Sequence, residues 1–483
     1  VRILLFILLF LIWDSQPVGV GRWDLIAPDL GVPFFFIGFL LLIALTRLWG
    51  KRLASGVEEH RLGRAIDRFN LGMGIARALV PIWFVIGVFF MGWNNHLLLP
   101  VSAWPVVTPG LVLGLLPALV AWMGLWWSQF PVDRALREHN VLSQLESDLP
   151  VFVPVGFRAY FVNKLRVDLL LAAMPLLMIS ILRDAIAASI AGLSHTAPGR
   201  QWGLHLPMSD SVESAVQFAA LVVVLLLSPE VLRHVLHTQR LPESDLRQSL
   251  SDISRGAGVR CREILLWRTQ NNLGNALVMG LIPQVRYVLL SDLLLESMTD
   301  LQIQAVFAHE VGHVKHRHLM WFVIYFLTAI TTLSVAGTIV KSLLRLTGEG
   351  EDVFDAGSVL VGGTVLILSY GFLSRWFERQ ADVYAARTLQ KSVSADPSVP
   401  PYMSGAAVFA SALHRVAIVN NIPINARNWT HGSIHARMRY IRRLDRDPQA
   451  AARFDRTGRW VRLAMLGLIA IGAIAAIYAQ QHG

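Results

Sequence analysis

The chain has one cysteine, Cys261, in 483 residues. It can form no internal disulfide, and no cysteine-based metal site can be built from it. Charge is scarce as well. Asp, Glu, Lys and Arg make up 16% of the residues, where a soluble globular chain carries about 25%. With 54% apolar residues and a mean hydropathy of +0.50, this excludes a disordered or fibrous chain and argues against a soluble one. Acids are the rarer sign, 33 against 43 Lys plus Arg, giving a net charge of +10. In a soluble chain that excess would suggest nucleic acid. Here the basic residues stand in loops beside apolar runs, so the expected partner is the lipid bilayer and no nucleic acid is expected.

What the chain has in abundance is apolar sequence of membrane length. A helix crossing the hydrocarbon needs roughly 17–25 mostly apolar residues. Eight runs qualify: 30–46, 78–93, 110–127, 167–193, 214–232, 319–344, 358–376 and 461–478. A ninth, 3–13, is short for a span; Asp14, Ser15, Gln16 and Pro17 after it offer no small-x-small cleavage site, so it reads as a retained helix. The expected fold is mainly α: a polytopic membrane protein of about eight or nine spans. Segment 47–77 carries seven basic residues and segment 94–109 none, while 233–318 and 377–460 are rich in Arg. Alternating the spans puts every basic segment on one side, which the positive-inside rule makes cytoplasmic. Trp49, Trp93, Trp104, Trp126, Trp127, Trp376 and Trp460 fall near span ends, as an aromatic belt does. Segment 345–357 reads as a short acidic loop and 391–401 as an irregular linker.

The chemistry is concentrated in the run from Thr299 to His318. Thr299 and Gln302 have the spacing of a capping box, and Leu301, Ile303, Phe307, Val311 and Val314 give an apolar stripe, so a helix is expected from about residue 300. On it His309 and His313 are four residues apart and share a face, where two imidazoles can converge on one cation. Glu310 is offset by one residue and can reach a water on that cation. This is the H-E-x-x-H arrangement of zinc proteases. A catalytic zinc wants a third protein ligand. His316 and Leu319 stand where the metzincin continuation needs Gly and His, so the third ligand must come from elsewhere. Glu378 is the best candidate. Asp382, one turn on, would accept a hydrogen bond from a ligand imidazole and fix its tautomer. The apolar runs 319–344 and 358–376 form a hairpin that starts just after His318 and returns just before Glu378, which brings the two segments to one membrane face. His316 and His318 read as a histidine pair at the membrane interface.

These motifs resemble the integral-membrane zinc metallopeptidases that include the type I CAAX prenyl protease and the heat-shock protease HtpX. The similarity runs from about 240 to 445. Its anchors are the HEVGH helix and the ERQAD helix; the stretches from Asn275 to Gly280, from Val285 to Met298 and from Thr430 to Met438 resemble further family motifs. The chain departs from the family at Gly432, usually Pro, and at Ala436, usually acidic. The resemblance implies one catalytic Zn2+ on His309, His313 and Glu378, with Glu310 as general base and His431 stabilising the transition state. It implies Asp382 behind the ligands, Asn275 and Ala276 on a strand edge that holds the substrate backbone, and Arg437 as the motif arginine on the substrate side. A small sheet or hairpin beside a zincin-like helix at the cytoplasmic membrane face is part of that expectation.

The organisation expected is an N-terminal membrane region at 1–236, a catalytic segment at 237–318, a transmembrane hairpin at 319–376, a cytoplasmic segment completing the site at 377–460, and a last span at 461–483. The function expected is a zinc metalloendopeptidase of the bacterial inner membrane, hydrolysing peptide bonds of membrane-associated or misfolded proteins at the cytoplasmic face. The Val at position 1, read as a non-AUG bacterial start, favours that role over processing of lipidated CAAX-type C-termini. A metal-binding transporter is the alternative of a different class; it would need ionisable residues deep in the spans, and only Asp168 and Asp184, near the ends of 167–193, come close.

Overall fold

The structure, a computed structural model, describes residues 28–55, 62–93, 108–145, 155–194, 210–345, 347–395, 400, 403–420 and 422–482. The chain forms two compact units, one of 1–238 with 268–272 and the other of 239–267 with 273–483.

The first unit is helical: α1 Pro28–Ser55, α2 Leu62–Phe90, α3 Thr108–Leu145, α4 Phe157–Lys164, α5 Leu171–Ser194 and α6 Asp210–Val235, with a π-helical turn at Leu165–Leu170 between α4 and α5. Phe35, Phe69, Met73, Phe84 and Leu125 are buried between α1, α2 and α3, while Leu40, Leu45, Leu71 and Ile82 face outward on the same helices. An apolar outer face on an apolar helix is what contact with lipid requires. Prolines lie inside α1, α2, α3, α5 and α6. Interior proline is tolerated in membrane helices, where neighbours and local adjustments satisfy the freed carbonyls.

The second unit begins within β1 Thr238–Arg240, at Gln239, and goes on through α7 Asp245–Gly256, β2 Glu263–Trp267, β3 Ala276–Met279, β4 Tyr287–Ser291 and α8 Asp292–Ser297. It continues with α9 Asp300–Lys315, α10 His318–Leu344, α11 Glu349–Ala395, α12 Gly405–Val419, α13 Ile434–Arg446 and α14 Pro448–His482. The sheet order is β1-β2-β4-β3, with β2 parallel and β3 antiparallel to β4. β4 is buried along its whole length, and its β-branched and leucine run suits a strand covered on both faces. β3 is a sheet edge. Gly280 ends it at φ +100°, and a Cβ there would lie 2.2 Å from the Val285 carbonyl oxygen, so only glycine fits the turn.

Among the described residues, seven helical segments are long and apolar enough to cross a membrane: Asp29–Ala54, Leu71–Val88, Thr108–Ala135, Phe157–Ile186, Phe218–Val235, His318–Leu344 and Pro448–Ile474. The protein is thus a mainly α, polytopic integral membrane protein with a small sheet, as the composition implies. The predicted span 358–376 lies within α11 but is not among the seven; two side chains along it, at 359 and 360, are outside the described residues, as is the whole of 3–13. The sequence reading of 345–357 as a loop is corrected: helix α11 starts at Glu349. Lys341 Nζ reaches Glu351 Oε1 at 2.8 Å and ties the two helices across the short turn. The extra helix ahead of 358 lengthens the second leg of the hairpin. Tyr325 on the first leg bonds to the Ser369 hydroxyl at 2.6 Å on the second. The linker expected at 391–401 also begins later, since α11 runs to Ala395.

Candidate metal centre

Helix α9 starts where its sequence asks it to. The Thr299 hydroxyl accepts from the Gln302 amide, and the Gln302 side chain accepts from the Thr299 amide, completing a capping box. The helix packs Ile303, Phe307, Ala308 and Val311 into the core, which fixes its rotation and turns His309 and His313 toward α11. Gly312 sets the distance. A Cβ there would lie 3.1 Å from Tyr384 and 3.2 Å from Ala381 Cα, so the two helices approach through a glycine and an alanine. That close crossing brings His309, His313 and Glu378 together, with one ligand atom of each lying within 4.8 Å of the others.

The separations suit a single tetrahedral ion. Bonds of about 2.0–2.2 Å put tetrahedral ligand atoms about 3.4 Å apart. Here His309 Nε2 and His313 Nε2 are 3.1 Å apart, His309 Nε2 is 3.7 Å from Glu378 Oε2, and His313 Nε2 is 3.6 Å from Glu378 Oε1. Two imidazole nitrogens and a carboxylate at these spacings could hold a divalent metal ion.

The far sides of the imidazoles are also occupied. His309 Nδ1 lies 3.0 Å from Asp382 Oδ1. His313 Nδ1 lies 2.9 Å from His318 Nδ1, and His318 Nε2 lies 3.1 Å from Gln380 Oε1. An amide oxygen only accepts, so His318 carries its proton on Nε2 and receives one from His313 at Nδ1. His313 Nε2 is then left with its lone pair facing the cluster, the form a metal ligand needs. His318 is 1% exposed and stacks on Phe377 at a ring separation of 4.3 Å, so it has little room to turn. By its place in the sequence His318 reads as an interface histidine, and Gln380 has no role there; in the structure both stand behind the cluster.

Arg437 is the electrostatic counterweight. Its guanidinium donates to both oxygens of Asp382, at 2.9 and 2.6 Å, and lies 3.4 Å from Glu378. Sequence reasoning assigned Arg437 to the substrate side. The structure turns it, from α13, onto these two buried carboxylates of α11. Burial works against ionisation of Glu378, but Arg437 and His431 outweigh it and hold its carboxyl well below the usual range. Asp382 is likewise buried and is held low by Arg437 and His309. Burial and the nearby His309 charge press His313 down to about 3, so its ring is neutral. Burial opposes a charge on His309 as well, yet Asp382 and Glu378 raise its pKa. A cation in the cluster would take the place of that proton.

Glu310 is held at the sheet. Its Oε2 accepts from the Val278 amide at 3.2 Å, and burial raises its carboxyl above the ordinary value. The Val278 N–H therefore points away from β4, and strand alternation puts the Ala276 backbone on the same free edge. The neighbouring Asn275 is tied the other way: its amide donates to the Ser291 hydroxyl at 2.9 Å and its carbonyl accepts from the Ser291 amide at 3.0 Å. The Asn275 side chain is exposed at the start of this edge.

His431 reaches the cluster from a turn after α12. Its Nδ1 lies 2.9 Å from Glu378 Oε1, and its side chain is about half exposed. The Asn428 side chain accepts from the Thr430 and His431 amides and shapes the turn. Gly432 stands at φ +77°, a value closed to proline. The departure from the family's proline thus goes with a turn that proline could not make.

Comparison with known proteins agrees with this geometry. Residues 240–444 match the model of peptidase family M48. An HtpX protease homologue of Aeropyrum pernix is 26% identical over 196 residues, covering 38% of this chain and 61% of its own length. One of Herminiimonas arsenicoxydans is 27% identical over 214 residues, covering 39% and 70%. A CAAX prenyl protease 1 homologue of Arabidopsis thaliana is 28% identical over 159 residues, covering 30% and 37%. The chain thus matches about three fifths of the Aeropyrum relative and little more than a third of the Arabidopsis one. The crystal structure of Ste24p from S. mikatae aligns with 86% of this chain and 99% of its own, at a TM-score of 0.45 and 16% identity. Over residues 240–444, from β1 to α13, the sequence is similar to peptidase family M48, with HtpX proteases and a CAAX prenyl protease 1 homologue among the proteins it resembles.

Proposed function

We propose that this chain is a membrane-embedded zinc metalloendopeptidase, with Zn2+ held by His309, His313 and Glu378 and Glu310 as general base. The observation that carries the reading is the convergence of those three donors beside a half-buried glutamate that also accepts from the outer edge of the sheet. Bound zinc would supply Lewis acidity toward the scissile carbonyl and acidify the attacking water. Glu310 takes a proton from that water and returns it to the leaving amine; its raised pKa suits both halves of the exchange. The outer edge of β3, at Ala276 and Val278, pairs with an extended substrate through backbone hydrogen bonds, and the exposed Asn275 side chain stands at the entry to that edge. His431, half exposed beside Glu378, donates to the developing oxyanion. Asp382 orients His309, and Arg437 keeps Asp382 and Glu378 ionised.

Backbone pairing makes few demands on sequence, which supports membrane-associated or misfolded proteins as substrates, cut at the cytoplasmic face of a bacterial inner membrane. The experiment is metal analysis and cleavage of an unfolded membrane protein by wild type and Glu310→Gln in the same lipid. The variant keeps one zinc and loses cleavage. Equal cleavage by the two would defeat the assignment. The similarity to a CAAX prenyl protease 1 homologue supports a second substrate class, lipidated C-termini. A farnesylated peptide and its unmodified twin, offered together, separate the two: preference for the lipidated one selects the second class.

A further inference from the structure

Helix α11 carries a second concavity on a side turned away from Glu378 and Asp382. Gln380, Tyr384 and Arg387 recur at helical spacing and are separated from Glu378 and Asp382 by about 120–180° around the helix. With Arg459, Arg462 and Asp455 of α14 and His316 from the end of α9, they enclose a cavity of about 390 Å³ over a floor that includes Phe454. Three guanidinium groups thus line the cavity against a single carboxylate. Asp455 is engaged by Arg387 at 3.1 and 3.2 Å. Arg459 and Arg462 have no carboxylate partner among the described residues; Arg462 Nε donates to the Gly458 carbonyl and its terminal amino groups remain for a ligand. Gln380 spends its oxygen on His318, and its Nε2 faces the Gly458 wall, where a Cβ would lie 3.3 Å away.

The level of this cavity in the molecule bears on its ligand. α10 begins at His318, and the charges of α14 stop at Arg462, after which the helix is apolar. The two helices run side by side in the same direction: Gly458 lies against Gln380 and Trp376, and Gly472, further along, lies against Thr328 and Thr332. Both apolar stretches therefore start at the cavity, which stands at the boundary between polar and apolar chain, the depth of lipid headgroups. Guanidinium forks with an amide donor beside them match the tetrahedral oxygens of a phosphate, and the surplus of positive charge matches its negative one.

We propose that this cavity binds the phosphate group of an anionic phospholipid, clasped by Arg459 and Arg462 with the Gln380 amide as a further donor. The cavity touches the metal cluster's surroundings through Gln380, which also bonds His318, so its test varies Arg459, Arg462 and Asp455 and uses binding alone. The full chain, stripped of lipid in neutral detergent, is titrated with phosphatidylglycerol or phosphatidylcholine, and bound lipid is counted by native mass spectrometry. Wild type retains phosphatidylglycerol in preference to phosphatidylcholine. Arg459→Gln with Arg462→Gln weakens that retention about ten-fold or more, as loss of two charge-assisted contacts should. Asp455→Asn removes the competing carboxylate and tightens retention, a gain that misfolding cannot imitate. A parallel titration with inorganic phosphate identifies the source: phosphate that displaces the lipid marks a site open to the free ion, and phosphate that does not marks one that needs the headgroup delivered from the bilayer. Either upholds the site. Phosphatidylglycerol retention unchanged in the double variant and in Asp455→Asn would overturn it and leave the arginines as interface anchors only.

Discussion

His318 Nδ1 sits 2.9 Å from His313 Nδ1, so an imidazole that is not one of the three clustered donors governs the proton of one that is. The relay ends on Gln380, which cannot donate through its oxygen, and the direction of both hydrogen bonds follows. His318→Ala removes the acceptor and lets the His313 ring turn. Zinc affinity, measured by competition with a chelator, falls about 10–100-fold, the range for loss of such a partner. Gln380→Leu, which leaves His318 in place but frees its tautomer, falls less. Helix content by circular dichroism is unchanged in both.

Arg437 balances two buried carboxylates, and its removal leaves them facing each other. Arg437→Met costs about 3–5 kcal/mol of stability, as breaking a buried pair does. Thermal unfolding in detergent with the metal removed isolates that loss from any change in zinc affinity. Arg437→Met with Asp382→Asn recovers part of it, and a double-mutant cycle gives the coupling.

The Val278 amide faces Glu310 and not β4, so proline at this position leaves the sheet ladder intact. Val278→Pro therefore folds and holds zinc, but removes the donor that steadies the Glu310 carboxylate. A hydrogen bond to a charged group contributes about 1.5–3 kcal/mol. The cleavage rate falls by roughly ten-fold or more at unchanged zinc content, measured with a saturating peptide substrate.

Gly312 is the contact point between α9 and α11. Gly312→Val drives a branched side chain into Tyr384 and the Ala381 backbone and wedges the histidines away from Glu378. Zinc affinity and thermal stability fall together. Gly312→Ala, whose Cβ would be tight by only a few tenths of an ångström, loses less of each.

Much of this site could be read from the sequence because its central feature is local. His309 and His313 share a helical face by spacing alone, and the capping box of Thr299 and Gln302 announces the helix that carries them. Glu378 was legible at a distance only because an apolar hairpin lies between it and His318. The role of His318 was hidden by the chain's geometry. Five residues along a continuous helix would point it about 140° from His313. Arg317 breaks the helix at φ +55°, in the left-handed region, and folds His318 back onto its neighbour. No signal in the sequence marks an arginine for that conformation. The start of α11 was missed for a related reason. Glu349, Glu351 and Asp352 read as loop by composition, yet acids suit the first turn of a helix, and Lys341 holds one of them there. The destination of Arg437 depends on how α13 meets α11, a tertiary fact beyond any pattern in the chain.

Glu378 shares α11 with the apolar stretch 358–376, and no proline or non-helical residue interrupts the rod between them. From residue 358 to Glu378 is about 30 Å of helix. A lean of only about 2° at the far end shifts the carboxylate by about 1 Å, several times the play that a coordination sphere tolerates. The third donor is in effect the tip of a lever whose long arm turns Val361, Leu368 and Phe372 outward, so whatever packs on that apolar arm acts on the cluster as a mechanical variable.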